Sequence, residues 1–200
     1  PAYKVSSSDT TNIPLLIKIA KKRKPIILST GMSYLSEVSL ALQTICQYNN
    51  SVILLHCTAN YPMDDKEANL AVINTFRDNF DILLGYSDHS IGIGVAPFTI
   101  PMGARVVEKH FTLDKNDLGP DHLASLSPDE LVDFVKIIHK VDEYIGSNIK
   151  EPTISEHRTR KSLQKCLVAN CNIKKGESFS EDNIVAKRTG GIGISPIFYK

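Results

Sequence analysis

Apolar runs and helix-like segments alternate along the first three quarters of the chain. Five apolar runs predict strands, which lie at 2–7, 25–30, 52–58, 81–88 and 104–111. Each is followed by a predicted helix, and these lie at 12–23, 34–48, 66–79, 91–102 and 128–145. The segment 91–102 is included although it contains Gly94 and Pro97. Repeated strand–helix units of this spacing predict an α/β fold with parallel strands.

The best-marked helix is the last of this series. Ser127 is a suitable N-cap, Pro128 suits the first helical position, and Glu130 completes a capping box. Apolar residues then recur at helical spacing until Gly146, which suits a helix end.

Polar side chains cluster where the predicted strands end. They are Ser6, Ser7, Ser29, Thr30, Thr58, Asn60, Tyr61, Ser87, Asp88, His89, Glu108 and His110. No strand is followed by a glycine-rich nucleotide-binding loop, which disfavours an open nucleotide-binding sheet. Functional groups at the carboxyl end of every strand are typical of (β/α) barrels.

The chain changes character after Gly146. Residues 147–164 are polar and charged, without apolar periodicity, and are interpreted as a linker. Two further strands are predicted at 166–173 and 183–188, separated by a KKGE turn. We therefore divide the chain into a partial barrel (1–147), a linker (148–164) and the start of a small β-rich domain (165–200). Both ends are expected to be incomplete.

Composition narrows the class of protein. The chain has 200 residues, 42% hydrophobic and 22% charged, with a formal net charge of +1. The chain lacks the excess of basic residues that is typical of nucleic-acid-binding proteins. No apolar run approaches the roughly 20 residues of a membrane helix. Four cysteines without a CxxC pair indicate reduced, mostly buried thiols. These features and the lack of a signal peptide predict a cytoplasmic protein.

Two histidines form the first candidate site. His89 and His110 end consecutive strands, and neighbouring strands lie about 5 Å apart, so the two imidazoles could share one divalent ion. Asp88, Glu108 or water would complete the coordination. Hydrogen bonding of both histidines to carbonyls at the barrel rim fits the spacing equally well.

Three further candidates are weaker on sequence alone. Lys4, Ser7 and Ser29 end neighbouring strands and suit an anion, although a solvated lysine and turn serines explain them as well. Asp121 lies on the long loop after the fifth strand, where a capping role is the alternative. Arg188 precedes a glycine-rich turn, where a surface charge is the alternative.

Several strings resemble one family. They are YKVSSSDTTNIPLL, KPIILSTGM, LLHCTANYP, GYSDHSIGIGVAP, VVEKHFTLDKNDLGPDHLASLSPDEL and IKKGESFSEDNIVAKRTGGIGISP. Together they resemble the sialic acid synthases, which condense phosphoenolpyruvate with a hexosamine. The resemblance implies strands four to eight of a TIM (β/α)8 barrel, followed by the start of an antifreeze-like (SAF) domain.

The resemblance also implies roles for individual residues. His89 and His110 match metal ligands, for Mn²⁺ in preference to Mg²⁺ or Co²⁺. The residues matched to phosphoenolpyruvate binding are Lys4, Ser7 and Ser29. Tyr61, Glu108 and Asp121 match residues around the amino sugar. The two carboxylates, Glu108 and Asp121, are also expected to be catalytic. Arg188 matches an arginine that reaches the other subunit of a domain-swapped homodimer. Ala59 departs from the family pattern, and Asn60 is expected to replace that contact.

The expected reaction is the metal-dependent condensation of phosphoenolpyruvate with N-acetylmannosamine or a related hexosamine, giving N-acetylneuraminate or a similar nonulosonic acid and phosphate. A legionaminic acid synthase is one alternative. The other is a fragment that binds a metal or an anion without turnover, because five strands do not close an eight-stranded barrel.

Overall fold

The computed structural model of the chain describes residues 1–199, which divide into two compact units after Gly146. The first unit contains five strands and four helices. They are β1 (Tyr3–Val5), α1 (Ile13–Ala20), β2 (Ile26–Ser29), α2 (Leu35–Cys46), β3 (Val52–Cys57), α3 (Val72–Asn79), β4 (Leu83–Asp88), β5 (Val106–Lys109) and α4 (Pro128–Ile145). The second unit contains α5 (Ile154–Leu163), β6 (Lys165–Ala169) and β7 (Ile184–Arg188).

The five strands of the first unit form one sheet in sequence order, and all neighbouring pairs are parallel. This confirms the predicted parallel strands. The face that packs against the helices carries the core, in which Leu28, Leu54 and Tyr86 are fully buried. The inner strands are continuous apolar runs in the sequence because both of their faces are largely covered.

The sheet is curled. β1 and β5 are its two outer strands, and a flat sheet would separate them by about 19 Å at the usual strand spacing. Instead, the Lys4 Nζ and Glu108 Oε1 atoms lie 3.4 Å apart. The two strands therefore face each other across a concave surface.

Helix α4 begins and ends where the sequence predicts. The Ser127 side chain accepts a hydrogen bond from the Glu130 N–H, and the Glu130 carboxylate accepts one from the Ser127 N–H at 2.9 Å. Gly146 ends the helix with a φ of +55°, a conformation that favours glycine. Phe134 anchors the helix to the core.

The predicted helix at 91–102 is wrong. This segment contains turns and only a short 3-10 helix, Ala96–Thr99. Gly94 has a φ of +62°, and its lack of a side chain lets the loop lie against Asp88 and Ser90. The Val95 N–H also donates to the Ser90 hydroxyl, at 3.3 Å. The loop therefore wraps over the end of β4 and does not form a helix.

The predicted helix at 66–79 begins later than expected. The structure has a short 3-10 helix at Asp65–Glu67, and α3 starts only at Val72. Asn69 lies between them with a φ of +44°, which interrupts any continuous helix.

In the second unit, β6 and β7 form an antiparallel pair close to the predicted strands. The polar segment interpreted as a linker contains helix α5, capped by Thr153 and Glu156. All residues of helix α5 are exposed, which explains why the sequence has no apolar stripe there.

The cysteines are less buried than expected. All four are free, but only Cys57 and Cys166 are buried, whereas Cys46 and Cys171 are exposed. Among residues 1–199, no helix has the length and apolar character needed to cross a membrane.

Candidate functional site

The concave face of the sheet carries most of the predicted site. Strand pairing aligns Cys57 with Ser87 and Ser87 with Glu108, and paired residues of parallel strands point to the same face. Lys4 and Ser29 lie on this face too, because Lys4 pairs with Ile27, two residues before Ser29. Continuing the alternation brings His89 and His110 to the same side.

Lys4 and Glu108 form an ion pair between the two outer strands on this face. Besides its 3.4 Å contact with Glu108, the Lys4 ammonium donates to the Val5 carbonyl at 3.2 Å. The Ser87 hydroxyl donates to the same Glu108 oxygen at 2.8 Å. A cation and a carboxylate are thus presented side by side, both about one third exposed.

Two serines lie at the ends of β1 and β2. The Ser7 hydroxyl accepts from the Gly31 N–H at 2.9 Å and lies 3.6 Å from the Cys57 sulfur. The Ser29 hydroxyl is buried, and no atom of the described residues hydrogen-bonds to it. A buried hydroxyl without a partner is unfavourable unless something satisfies it, so Ser29 has hydrogen-bonding capacity to spare.

The two histidines approach each other edge to face, with ring centroids 5.3 Å apart. His89 Nδ1 lies 2.7 Å from the Thr58 carbonyl oxygen. Because a carbonyl only accepts, Nδ1 carries the proton and the lone pair of Nε2 remains free. Burial lowers the pKa of His89, which favours the neutral imidazole that a metal requires.

Aromatic and acidic groups surround the pair. The Tyr61 ring lies 4.0 Å from the His89 ring and 5.2 Å from the His110 ring, measured between centroids. Asp121 places a carboxylate oxygen 3.9 Å from His110 Nδ1. The structure therefore brings the long loop after β5 to the same site as the strand ends.

The chain supplies two imidazoles but not a complete set of metal ligands. No group of three or more His, Cys, Asp and Glu side chains within residues 1–199 is arranged to hold a metal ion. His89, whose Nε2 is left unprotonated when Nδ1 donates to the Thr58 carbonyl, fits a divalent ion whose remaining positions are filled by other ligands. Asp88, offered as a further ligand, is wrong for that role because its carboxylate binds Lys109 on the opposite face.

Asn60 and Arg188 are the remaining predicted site residues, and they belong to different units of the chain. The Asn60 amide donates to the Glu67 carboxylate at 2.9 Å, so its hydrogen bond is directed elsewhere. Arg188 is exposed at the end of β7 in the second unit.

Sequence reasoning missed Cys57 and the Thr58 carbonyl, and it placed Ser87 at a strand end without giving it a role. Cys57 is buried, its sulfur lies 3.8 Å from His89 Nδ1, and burial raises the pKa of its thiol. The period of two along each strand was the available signal for Cys57 and Ser87, since it places them on the face of His89. No sequence signal indicates a backbone carbonyl as a partner.

A comparison with family models matches residues 1–150 to the NeuB family. The chain belongs to the NeuB family. It is 44% identical over 99% of its length to the N,N'-diacetyllegionaminic acid synthase of Campylobacter jejuni, covering 60% of that protein. It is 37% identical over 94% of its length to the N-acetylneuraminate-9-phosphate synthase of Mus musculus, covering 52% of that protein. The chain thus spans little more than half the length of these NeuB-type relatives.

Solved structures of NeuB-type proteins agree with the fold. The crystal structure of N-acetylneuraminic acid (sialic acid) synthetase from Leptospira borgpetersenii matches with a TM-score of 0.76 and 35% identity, over 81% of this chain and 58% of that chain. The spore coat polysaccharide biosynthesis protein SpsE of Bacillus subtilis matches with a TM-score of 0.69 and 36% identity, over 99% and 60%. The prediction of a partial (β/α) barrel of the sialic acid synthase type is confirmed.

Proposed function

We propose that the protein is a metal-dependent nonulosonic acid synthase, which condenses phosphoenolpyruvate with N-acetylmannosamine or a related hexosamine and releases phosphate. One observation carries this proposal. A cation, an unpartnered buried hydroxyl and two facing imidazoles converge on one concave face, in a chain of the NeuB family. These groups match the two reactants, an anion and a polarised aldehyde.

The anionic substrate is assigned to the end of the sheet formed by β1 and β2. Lys4 supplies a positive charge. The Ser7 hydroxyl is held by the Gly31 N–H, and the Ser29 hydroxyl has no partner in the described residues and is free to donate. Phosphate and carboxylate oxygens accept several charge-assisted hydrogen bonds at once, which suits this set. Asn60 can contact phosphoenolpyruvate only if its side-chain amide gives up its hydrogen bond to Glu67.

The metal is assigned to His89 and His110, with Mn²⁺ the first candidate and Mg²⁺ or Co²⁺ the others. When bound there, a divalent ion would polarise the sugar aldehyde as a Lewis acid. The protein's part is to hold the His89 tautomer through the Thr58 carbonyl and to shield one side of the pair with the Tyr61 ring. Both effects orient the imidazoles before any ligand arrives.

The amino sugar is assigned to the space beside Tyr61, Glu108 and Asp121. Carboxylates and a phenol accept or share hydrogen bonds with sugar hydroxyls. In the reaction, the C=C electron pair of phosphoenolpyruvate forms a bond from the methylene carbon to the aldehyde carbon, whose oxygen takes up a proton. Water adds at the carbon bearing the phosphate and loses its protons, and the C–O bond to phosphate breaks, so that a ketone and phosphate are formed. Holding the two substrates in register on one face supplies much of the acceleration.

A legionaminic acid synthase is the second candidate. The relatives from Campylobacter jejuni and Legionella pneumophila, at 44% and 39% identity, are both N,N'-diacetyllegionaminic acid synthases. Comparing product formation from N-acetylmannosamine with that from its 6-deoxy diacetamido analogue decides between the two acceptors.

The proposal extends to the second unit and to assembly. Residues 165–200 are assigned to the start of an antifreeze-like domain, and Arg188 to a substrate contact across a domain-swapped homodimer. Residues 1–200 alone are expected to bind ligands without turnover, because five strands do not close an eight-stranded barrel. Phosphate release by residues 1–200 with Mn²⁺ and both substrates would contradict this expectation.

The test replaces His110 with Ala in the full-length protein. Turnover with Mn²⁺ and both substrates should be lost, and Mn²⁺ affinity should fall more than about tenfold. His139→Ala is the control, because His139 is an exposed histidine of α4 in the same unit. Undiminished turnover in His110→Ala would refute the metal assignment.

A further inference from the structure

A buried ion pair lies directly behind the two histidines. Lys109 Nζ and Asp88 Oδ2 are 3.1 Å apart, with side chains 3% and 0% exposed. The two residues face each other at the last pair of the β4–β5 ladder. Alternation along the strands places them on the helix-packed face, opposite to the imidazoles.

Ser90 completes the hydrogen bonding of this pair. The Lys109 ammonium donates to the Ser90 carbonyl at 2.6 Å. The Asp88 carboxylate accepts from the Ser90 N–H at 2.9 Å and from the Ser90 hydroxyl at 2.6 Å. Buried charges are costly unless such bonds satisfy them, and a hydrophobic pair of similar volume is often as stable. Stability alone therefore gives a weak reason for this arrangement.

The network controls the backbone on both sides of His89. Asp88 precedes His89 and Ser90 follows it, and both are bound to the Lys109 side chain. Lys109 itself is the residue before His110. One ammonium group thus ties together the segments that carry the two imidazoles.

The backbone of each histidine is fixed from a second side. The His89 carbonyl accepts from the Met63 N–H, and the His110 carbonyl accepts from the Leu126 N–H, both at 2.9 Å. These bonds and the Asp88–Lys109 pair together restrain the backbone that carries both imidazoles.

We propose that Asp88, Lys109 and Ser90 are positioning residues that set the separation and orientation of His89 and His110. The inference rests on the proposed function in one respect, namely that the two imidazoles bind a metal ion. The positioning itself is a property of the metal-free protein, and it can be measured there.

The decisive measurement is the tautomer of His89 in the metal-free, full-length protein, read from long-range ¹H–¹⁵N NMR correlations of the imidazoles. The wild type should show a single Nδ1–H tautomer, held by the Thr58 carbonyl. Lys109→Met and Asp88→Asn should each give a mixture with the Nε2–H form. Lys115→Met is the control, because Lys115 is also ion-paired, to Glu130 at 2.6 Å.

A single variant leaves one buried charge unpaired and can fail to fold. The double variant Asp88→Asn/Lys109→Met removes both charges and avoids that penalty. It should fold and still show the mixed tautomers. An unchanged Nδ1–H tautomer in this folded double variant would overturn the proposal.

Ligand binding separates positioning from a general structural role. Mn²⁺ affinity, measured by electron paramagnetic resonance without substrates, should fall about 10- to 100-fold in the double variant. Phosphoenolpyruvate affinity should be unchanged, since Lys4, Ser7 and Ser29 belong to β1, β2 and the turn after β1. Equal loss of both ligands would show that the role is merely structural. A wild type that binds no Mn²⁺ would refute the proposed metal site, and the tautomer would still decide the positioning.

Discussion

Lys4 and Glu108 lie on the two outermost strands of the sheet, and their charged atoms are 3.4 Å apart. Four strand-to-strand connections separate them in the chain. Their contact exists because the sheet curls, and it places a cation and a carboxylate at the centre of the concave face. The pair is partly exposed, so its main contribution is to the chemistry of the site and not to stability.

Replacing Lys4 with Met should weaken phosphoenolpyruvate binding strongly while changing the free energy of unfolding by less than about 1 kcal/mol. The reason is that an ion pair about one third exposed adds little stability, whereas the proposed anionic substrate loses its cation. Isothermal titration with phosphoenolpyruvate and urea unfolding measure the two effects. Arg105→Met is the matched control, since Arg105 forms an exposed pair with Asp142 at 3.3 Å. Equal affinities in the two variants would remove Lys4 from the anion site.

Replacing Ser29 with Ala should leave stability unchanged or raise it by up to about 1 kcal/mol, because the lost hydroxyl has no partner in the described residues. Phosphoenolpyruvate affinity should nevertheless fall. The control is Thr30→Val, where a buried hydroxyl that donates to the Leu55 carbonyl at 2.9 Å is removed. That change should cost about 1 kcal/mol in urea unfolding. A Ser29→Ala protein that is destabilised and binds normally would contradict the assignment.

Replacing Gly94 with Ala should destabilise the first unit by about 3 kcal/mol, near the upper range for single substitutions. Gly94 combines a φ of +62° with contact against Ser90 and Asp88, so a new methyl group collides with both. Gly92→Ala is a close control, because Gly92 has a φ of +64° and no heavy atom within 4 Å of the added carbon. It should cost only the backbone strain, about 1–2 kcal/mol. Thermal unfolding of the two variants compares them, and equal losses would exclude the packing contribution.

Much of the fold could be predicted because local signals agreed with one another. The Ser127 capping box, Pro128 and the apolar period all favour helix α4, and it forms there. The segment 91–102 could not be predicted in the same way, because its loop is held by Asp88 and Ser90, whose positions depend on tertiary structure. Helix α5 has caps but no apolar face, so periodicity gave no sign of it.

The sequence predicted which residues lie at the strand ends of the candidate site, but few of the contacts that these residues make. The approach of His89 to His110 follows from two consecutive parallel strands that end at similar heights. The Lys4–Glu108 contact requires the curl of the whole sheet, which no local pattern encodes. The Thr58 carbonyl and the engagement of Asn60 by Glu67 depend on loop conformations that the sequence does not specify.

The alternation of faces along each strand has a consequence for how such proteins diversify. Leu28 and Tyr86 are interior packing residues with no exposed surface, whereas the neighbouring positions Ser29 and Ser87 face the site. Substitutions at the second kind of position can change which ligand is accepted at little cost to folding. Adjacent residues on a single strand therefore meet different physical requirements, one for packing of the core and the other for contact with whatever occupies the concave face.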